Sequence, residues 1–166
     1  MDELLEALRA KEWRLNRRRR KVYDGPCHTE VAWLGGPNSS LYEQALRTAP
    51  CQSYEFAQLN RSVEMKRHVD GANFKGSLIL LLGDFTGGAL CFDDGRRITE
   101  TGVWHPFDGH LPHWVEPFDG ERFSIILFNN PSLARRVQWI PLLALRRRLL
   151  SRVPSNAVAR ALQRDG

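Results

Sequence analysis

Residues 68–92 read HVDGANFKGSLILLLGDFTGGALCF and contain the clearest structural signal in the chain. Two short apolar runs, 78–82 and 89–92, are separated by the glycine-rich segment 83–88. Apolar runs of four or five residues bounded by turn-forming residues are typical of β-strands. This stretch therefore predicts two strands joined by a tight connection.

The same pattern continues on both sides of this stretch. Short apolar or alternating runs also occur around 54–56, at 103–104 and over 123–128, separated by Gly- and Asp-rich segments. Closely spaced short strands with turns between them indicate an antiparallel sandwich or jelly roll. We expect this β core to cover residues 51–130.

Helical periodicity marks the beginning of the chain. Leu4, Leu5, Leu8 and Trp13 fall near helical spacing, and acidic residues occupy the first turn. This pattern predicts an amphipathic helix over 2–15 that runs into a basic cluster, so that residues 1–21 form a basic amphipathic segment.

The remaining segments complete an expected α+β fold. A short helix is predicted over 41–47, whereas 24–38 is rich in Gly and Pro and predicts loop. Residues 132–166 return to a helical pattern interrupted by prolines, which predicts two or three basic helices. We expect a β core with N-terminal and C-terminal helices packed on its outside, in a single domain over 1–166.

Length and composition exclude several classes of protein. A chain of 166 residues with 42% hydrophobic content suits one ordinary domain, and no apolar run approaches the roughly 18 residues of a membrane span. Cys27, Cys51 and Cys91 are odd in number and lack CxxC spacing, so we expect buried free thiols. Met1 precedes acidic residues rather than a basic leader. We expect a monomeric intracellular protein, nuclear if eukaryotic, with no membrane partner.

Charge is distributed unevenly along the chain. Residues 1–21 carry eight basic and four acidic side chains, and 132–166 carry eight basic and one acidic. The total of +5 therefore leaves −6 for residues 22–131. Arginine clusters at the two ends suit contact with a polyanion, and Arg17, Arg18 and Arg19 are candidates for phosphate binding, although basic runs of this kind are often simply solvated.

His68 and Asp70 form a candidate metal-binding pair. On a strand, residues two apart point to the same side, so an imidazole and a carboxylate can reach one ion. A second imidazole from a distant strand would complete the two-histidine, one-carboxylate set that holds Fe(II) and leaves positions open. A His-x-Asp tripeptide also occurs by chance, so its context must support it.

Arg122 and Ser124 form a candidate anion clamp. Asp119-Gly120 is a turn signal, which predicts a hairpin that begins near His113 and returns through Arg122. Period-two alternation then places the guanidinium and the hydroxyl on one face, where a planar fork and an additional donor suit a carboxylate.

These residues together resemble the core of the Fe(II)/2-oxoglutarate-dependent dioxygenases. Residues 68–128 show the family's HxD, its apolar strand and Gly-Gly turn, its distal histidine and its Arg-x-Ser. The resemblance implies a double-stranded β-helix, iron held by His68, Asp70 and His113, and oxidation that consumes O2 and the cosubstrate 2-oxoglutarate. It also implies that Arg122 and Ser124 bind the far carboxylate of 2-oxoglutarate.

Within that superfamily the chain is most similar to the TET/JBP branch, which oxidises 5-methylpyrimidines in nucleic acid. Residues 68–73 match HxDxxN, in which the family's asparagine binds the extruded base, so Asn73 is a candidate substrate contact. Asn73 also suits a turn beside Gly71. The chain lacks the cysteine-rich extension of the animal TET proteins and the modified-base-binding domain of JBP. The resemblance implies action on 5-methylcytosine or thymine, with DNA the expected partner.

The resemblance also guides the choice among the histidines. His113 lies nine residues before Arg122, which is within the family's spacing, whereas His110 lies in an Asp-Gly turn and is expected beside the ligands or facing substrate. His105 is expected on a strand without an assigned role, and His28 in a loop.

Two other functions fit the same sequence. The chemistry could act on protein, as in prolyl or lysyl hydroxylases, with the arginine runs binding an acidic partner. Alternatively, the chain could be a catalytically silent β domain that binds nucleic acid. Four aromatic residues near the proposed site could stack on an extruded base, namely Trp104, Phe107, Trp114 and Phe118. Core packing is the default interpretation for all of them except Trp114, which is next to His113 in the sequence.

Overall fold

The computed structural model describes residues 1–16, 22–24, 27–51 and 53–137. Contacts divide the chain into two compact units, Met1–Asn130 and Pro131–Gly166. The elements of the first unit are α1 (Asp2–Ala10), β1 (Tyr23–Asp24), β2 (His28–Ala32), α2 (Ser39–Thr48), β3 (Phe56–Arg61), β4 (Glu64–Met65), β5 (Phe74–Gly87), β6 (Leu90–Phe92), β7 (Arg97–Ile98), β8 (Trp104–Phe107), β9 (His113–Val115) and β10 (Phe118–Asn129).

The strands form antiparallel sheets, as the sequence predicts. The main sheet has the order β2-β3-β10-β5-β8, and a smaller sheet has the order β7-β6-β9. β1 and β4 form a separate pair. The long strands β5 and β10 pair from Phe118 opposite Gly87 to Leu127 opposite Leu78, and this ladder is the centre of the main sheet.

The main sheet has two faces of different character because side chains alternate along each strand. Its outer face carries a core cluster that α1 and α2 cover. The buried residues of that cluster are Leu4, Leu8, Ala32, Leu41, Tyr42, Ala45, Ala57, Leu59, Leu78, Leu80, Leu82, Phe123, Ile125 and Leu127. The alternate residues of β3, β5 and β10 therefore line the inner face.

Aromatic rings connect the main sheet to the small sheet. Phe107 of β8 lies 6.2 Å from Phe92 of β6 and 5.7 Å from His113 of β9, measured between ring centroids. The inner face of the main sheet therefore faces the small sheet at this point. Antiparallel strands with flanking helices confirm the α+β class.

The N-terminal helix is shorter than predicted. α1 ends at Ala10, and Lys11 has an extended conformation with φ −68° and ψ 134°. The extended segment is held by tertiary contacts, because Lys11 Nζ donates to Glu30 at 2.7 Å and the Trp13 ring lies 5.9 Å from that of Phe123. The expectation of a helix over 2–15 is wrong beyond residue 10.

The predicted loop over 24–38 contains a strand of the main sheet. β2 pairs with β3 from His28 opposite Arg61 to Ala32 opposite Ala57, and α2 follows over Ser39–Thr48. The Gly and Pro residues on either side of β2 obscured its short pattern. The expectation of loop is therefore wrong over 28–32, whereas residues 33–38 form turns as predicted and the helix predicted over 41–47 is confirmed.

The prediction of a hairpin turn at Asp119-Gly120 is also wrong. Both residues lie inside β10, where Gly120 pairs with Phe85, while β9 belongs to the small sheet. Gly120 has φ +104°, and a Cβ there would collide with the backbone oxygen of Asp84. Glycine therefore permits close strand pairing here, and the chain crosses between sheets at 116–117.

The cysteines only partly match the prediction of buried free thiols. All three are free, and Cys27 and Cys91 are buried. Cys51 is exposed, so that part of the expectation is wrong.

In the second unit, residues 131–137 are helical. The rest of the predicted basic helices over 132–166 lies outside the described residues, as do Arg17, Arg18 and Arg19. A single domain over 1–166 stays a prediction. No helix in the described part of the chain has the length and apolarity needed to cross a membrane.

Candidate active site

Three side chains from two separate segments converge beside the small sheet. Potential ligand atoms of His68, Asp70 and His113 all lie within 4.8 Å of one another. His68 and Asp70 belong to the segment after β4, and His113 begins β9. The segments are held together by an isolated antiparallel bridge between His68 and His113.

Backbone carbonyls fix the tautomer of both imidazoles. His68 Nδ1 lies 2.8 Å from the Lys66 oxygen, and His113 Nδ1 lies 2.8 Å from the Leu111 oxygen. A carbonyl oxygen can only accept, so each Nδ1 donates its hydrogen and each Nε2 keeps a lone pair. This arrangement orients histidines as metal ligands in many proteins.

The environment of His113 favours its neutral form. The side chain is 1% exposed, and burial lowers the pKa of His113 below its ordinary value. The hydrogen bond to Leu111 opposes this shift, and the neighbouring His68 adds to it. A neutral imidazole is the form that binds metal.

The Asp70 carboxylate is positioned by a neighbouring turn. The Asp70 amide donates to the Gly109 oxygen at 2.7 Å, and the Asn73 side-chain amide donates to Asp70 Oδ2 at 3.3 Å. A Cβ on Gly109 would lie 3.1 Å from the Cβ of Asp70, so a glycine allows this close approach. Asp70 Oδ1 lies 3.7 Å from His68 Nε2.

The donor set has the composition that suits Fe(II). Two imidazole nitrogens and one carboxylate oxygen provide three ligands and leave other coordination positions for small molecules. His68 and Asp70 keep 16% and 27% of their side chains exposed, so a ligand can approach the cluster from solvent. The residues present therefore fit an iron ion.

A buried arginine lies on the inner face of the main sheet. Arg122 is 1% exposed, and its Nε donates to the Gly88 oxygen at 3.0 Å. Phe85 and Phe118 flank the guanidinium, each with its ring centroid 5.5 Å from Cζ. A Cβ on Gly88 would lie 2.9 Å from Arg122 Cδ and Nε, so this glycine makes room for the side chain.

The Arg122 guanidinium is not fully satisfied by its described neighbours. Its Nη2 is buried and has no hydrogen-bond partner there. Burial lowers the pKa of Arg122 to about 10, so the group remains a cation at neutral pH. An unpaired buried cation is costly, and an incoming carboxylate would provide both charge and acceptor atoms. The donor chemistry therefore fits one carboxylate of 2-oxoglutarate.

Ser124 lies beside Arg122 on the same face of β10. Ser124 is 3% exposed, and its Oγ accepts a 3.0 Å hydrogen bond from the side chain of Asn60. Asn60 is 2% exposed and stands directly opposite Ser124 in the ladder between β3 and β10. The two strands thus present two buried polar side chains, Asn60 and Ser124, on the sheet face that carries Arg122.

The candidate ligand His113 and the Arg122 side chain contact opposite ends of the segment that contains β6. Gly88, which accepts from Arg122, lies two residues before the start of β6, whereas Phe92 at the end of β6 pairs with His113. The segment that contains β6 therefore connects the candidate iron ligand His113 to the candidate clamp residue Arg122.

The other predicted contacts lie outside the metal cluster. His110 is exposed in the turn after β8, where its backbone amide donates to Asp108 at 2.9 Å. His105 lies on β8, and its Nε2 is 3.2 Å from the Glu100 oxygen. His28 begins β2 rather than lying in a loop. Asn73 adopts the turn conformation, with its amide donating to the Asp70 oxygen at 3.1 Å.

Sequence reasoning missed several residues that support the site. Phe85 and Gly88 shape the surroundings of Arg122, Gly109 admits Asp70, and Asn60 binds Ser124. One signal was available in β3, where Phe56–Arg61 reads FAQLNR and alternates apolar residues with the amides Gln58 and Asn60. Trp104 is not near the site, because it packs on the outer core.

No protein-family model matches the chain, and no curated protein does. A solved structure described as an oxidoreductase of the 2OG-Fe(II) oxygenase family, from Burkholderia pseudomallei, is similar with a TM-score of 0.50 and 14% identity. The similarity covers 76% of this chain and 75% of that one. At this identity it establishes a shared fold.

Proposed function

We propose that this protein is an Fe(II)- and 2-oxoglutarate-dependent dioxygenase with a double-stranded β-helix core. The observation that carries the proposal is the convergence of His68, Asp70 and His113 on one point. The buried cation of Arg122 on the connected strand system supports it, because the family's chemistry requires both a metal and a dicarboxylate. The shared fold with a 2OG-Fe(II) oxygenase is consistent with it.

The residues of this chain have separate roles in that proposal. His68, Asp70 and His113 would hold the iron through Nε2, a carboxylate oxygen and Nε2. Arg122 and Ser124 would bind the far carboxylate of 2-oxoglutarate, and the rings of Phe85 and Phe118 would keep water from the guanidinium. The bound iron, 2-oxoglutarate and O2 would supply the oxidising chemistry, with succinate as coproduct.

We propose further that the substrate is a 5-methylpyrimidine base in nucleic acid, with DNA the expected form. The match of 68–73 to HxDxxN and the basic ends of the chain support this substrate. Asn73 lies beside the cluster, where its half-buried amide is within reach of a group near Asp70. Enzymes that modify bases extrude the target base from the duplex into their active site, at a cost of a few kcal/mol.

Charge near the site indicates which residues would contact phosphate. The arginines next to the cluster already form ion pairs, Arg67 with Asp93 and Arg97 with Glu116. Phosphate contacts would therefore fall mainly to the arginine-rich ends, including Arg17, Arg18 and Arg19. Nucleic-acid binding through those ends should weaken steeply as salt is added.

Product analysis tests the proposal. The protein should be incubated with Fe(II), 2-oxoglutarate and DNA that contains 5-methylcytosine or thymine, and hydroxymethyl bases and succinate should be measured. We expect both products from the native protein and from His105→Ala, and neither from His68→Ala. Succinate formed only with a peptide substrate would favour a protein hydroxylase. If the native protein shows no turnover and His68→Ala binds DNA as well as the native protein does, the chain is a catalytically silent binding domain.

A further inference from the structure

Two amide side chains, the half-buried Gln58 and the buried Asn60, lead to Ser124 along the inner face of the main sheet. Gln58 Nε2 lies 3.2 Å from Asn60 Oδ1, and Asn60 Nδ2 lies 3.0 Å from Ser124 Oγ. Gln58 Nε2 also lies 3.4 Å from the Tyr23 hydroxyl. Asn60 is 2% exposed, so its orientation is set by these neighbours rather than by water.

The row has a direction because amide nitrogens only donate. Asn60 donates to Ser124, so the serine oxygen is the acceptor in this bond. Gln58 in turn donates to the Asn60 oxygen, which holds the amide with its nitrogen towards Ser124. The hydroxyl hydrogen of Ser124 must therefore point away from Asn60, and Ser124 remains a donor for another group.

That donor shares a strand face with Arg122, whose guanidinium is not fully satisfied. Arg122 and Ser124 are two residues apart on one strand and share its inner face. Both are buried, and Arg122 Nη2 has no partner among the described residues. The pair therefore offers two donors to one anion.

We propose that Asn60 is a positioning residue for cosubstrate binding, which acts by keeping the Ser124 hydroxyl turned towards the carboxylate bound by Arg122. The inference rests on the proposed function and goes beyond it, since Asn60 belongs neither to the HxD nor to the Arg-x-Ser pattern. Asn60 itself does not touch the carboxylate.

Binding of 2-oxoglutarate tests this role without turnover. Titration calorimetry in the presence of Ni(II), which occupies imidazole and carboxylate sites, would give the dissociation constant. We expect Asn60→Ala to weaken binding about 10-fold, comparable to the loss of one charge-assisted hydrogen bond. Asn60→Asp should weaken it further, because its carboxylate would accept from Ser124 and add negative charge. Ni(II) affinity should not change in either variant.

A double-mutant cycle separates positioning from a structural role. In a Ser124→Ala background, Asn60→Ala should have no further effect on 2-oxoglutarate binding, because the group it orients is gone. Thr29→Val is the matched control, since Thr29 is buried and pairs with Asn60 from the other side. It should leave binding unchanged.

The inference is overturned if Asn60→Ala binds 2-oxoglutarate as the native protein does, or if its effect persists undiminished in the Ser124→Ala background. Native protein that binds Ni(II) but no 2-oxoglutarate would overturn the proposed function as well, which distinguishes the two failures. Asn60→Ala adds no charge and carries the test if Asn60→Asp does not fold.

Discussion

His68 and His113 exchange two backbone hydrogen bonds, one of 3.0 Å from the His68 amide and one of 2.9 Å from the His113 amide. The exchange locks two segments that are far apart in sequence into register. Their ring centroids then lie 4.3 Å apart, and Asp70 follows two residues later on the same segment. The geometry of the cluster is thus determined by main-chain pairing before any metal is bound.

Removing a member of the cluster should abolish metal binding. We expect His68→Ala and Asp70→Ala each to weaken Co(II) or Fe(II) affinity by more than roughly 100-fold, which is the upper end of what loss of a supporting residue costs. His105→Ala is the matched control, because His105 is a histidine of the same sheet system outside the cluster. Equal metal affinity in all variants, measured by calorimetry, would refute the proposed ligands.

Arg122→Met should remove the stabilisation of the protein by bound 2-oxoglutarate. The native protein should gain about 2.7 kcal/mol of unfolding free energy at 2-oxoglutarate concentrations of 100 times Kd. The variant should show no such gain, while its stability without ligand should be unchanged or higher because an unpaired buried charge is removed. Chemical denaturation with and without 2-oxoglutarate measures both. Arg61→Met, at a half-exposed arginine on the next strand, should keep the full gain.

Two glycine substitutions should distinguish the effect of backbone strain from the effect of crowding the Arg122 side chain. Gly88 and Gly95 have φ of +67° and +85°, so alanine at either site should cost about 1–2 kcal/mol of stability. Only at Gly88 would the new Cβ meet Arg122, because Gly95 faces open space. We expect Gly88→Ala alone to weaken 2-oxoglutarate binding, by about 10-fold. A similar loss of affinity in Gly95→Ala would contradict this explanation.

Glu30 should make the stability depend on pH. Burial by itself would raise the pKa of Glu30, but hydrogen bonds from Lys11, the Arg14 amide and Asn38 outweigh it and lower the pKa. Its stabilisation is therefore present above the ordinary glutamate pKa of about 4.3 and is lost as pH falls through the lowered value.

Glu30→Gln measures that contribution. At pH 7 the variant should lose about 2 kcal/mol of unfolding free energy, as expected for hydrogen bonds to a charged group. The difference from the native protein should narrow as the pH drops below about 4. Urea denaturation across this pH range gives both values, and a difference that is independent of pH would rule out the carboxylate as the cause.

The sequence predicts the strands better than it predicts their partners. Alternation and apolar runs follow from burial, so the β core and its antiparallel pairing could be inferred. Local residues do not reveal which strand pairs with which. Asp119-Gly120 has the composition of a turn, but Gly120 serves close contact with Asp84 inside a continuous ladder.

In the candidate site, too, some residues could be predicted from the sequence and others could not. Residue spacing suggested His68 and Asp70, the family resemblance added His113, and the structure brings the three together. Asn60 could not be identified in this way, because its partner Ser124 lies 64 residues away and only strand pairing reveals the contact. Trp13 fits helical spacing in the sequence, yet it packs against Phe123 from an extended segment.

The two faces of β10 carry different kinds of side chain, apolar on the outside and polar on the inside. Phe123, Ile125 and Leu127 belong to the outer core, while Arg122 and Ser124 alternate with them on the inside. A shift of one residue in its alignment would exchange hydrocarbon for charge on both sides of the sheet. Under the proposed function, a molecule with a shifted β10 would lose its core packing and its affinity for 2-oxoglutarate together. The fraction of protein that binds 2-oxoglutarate would then report the fraction that is correctly folded.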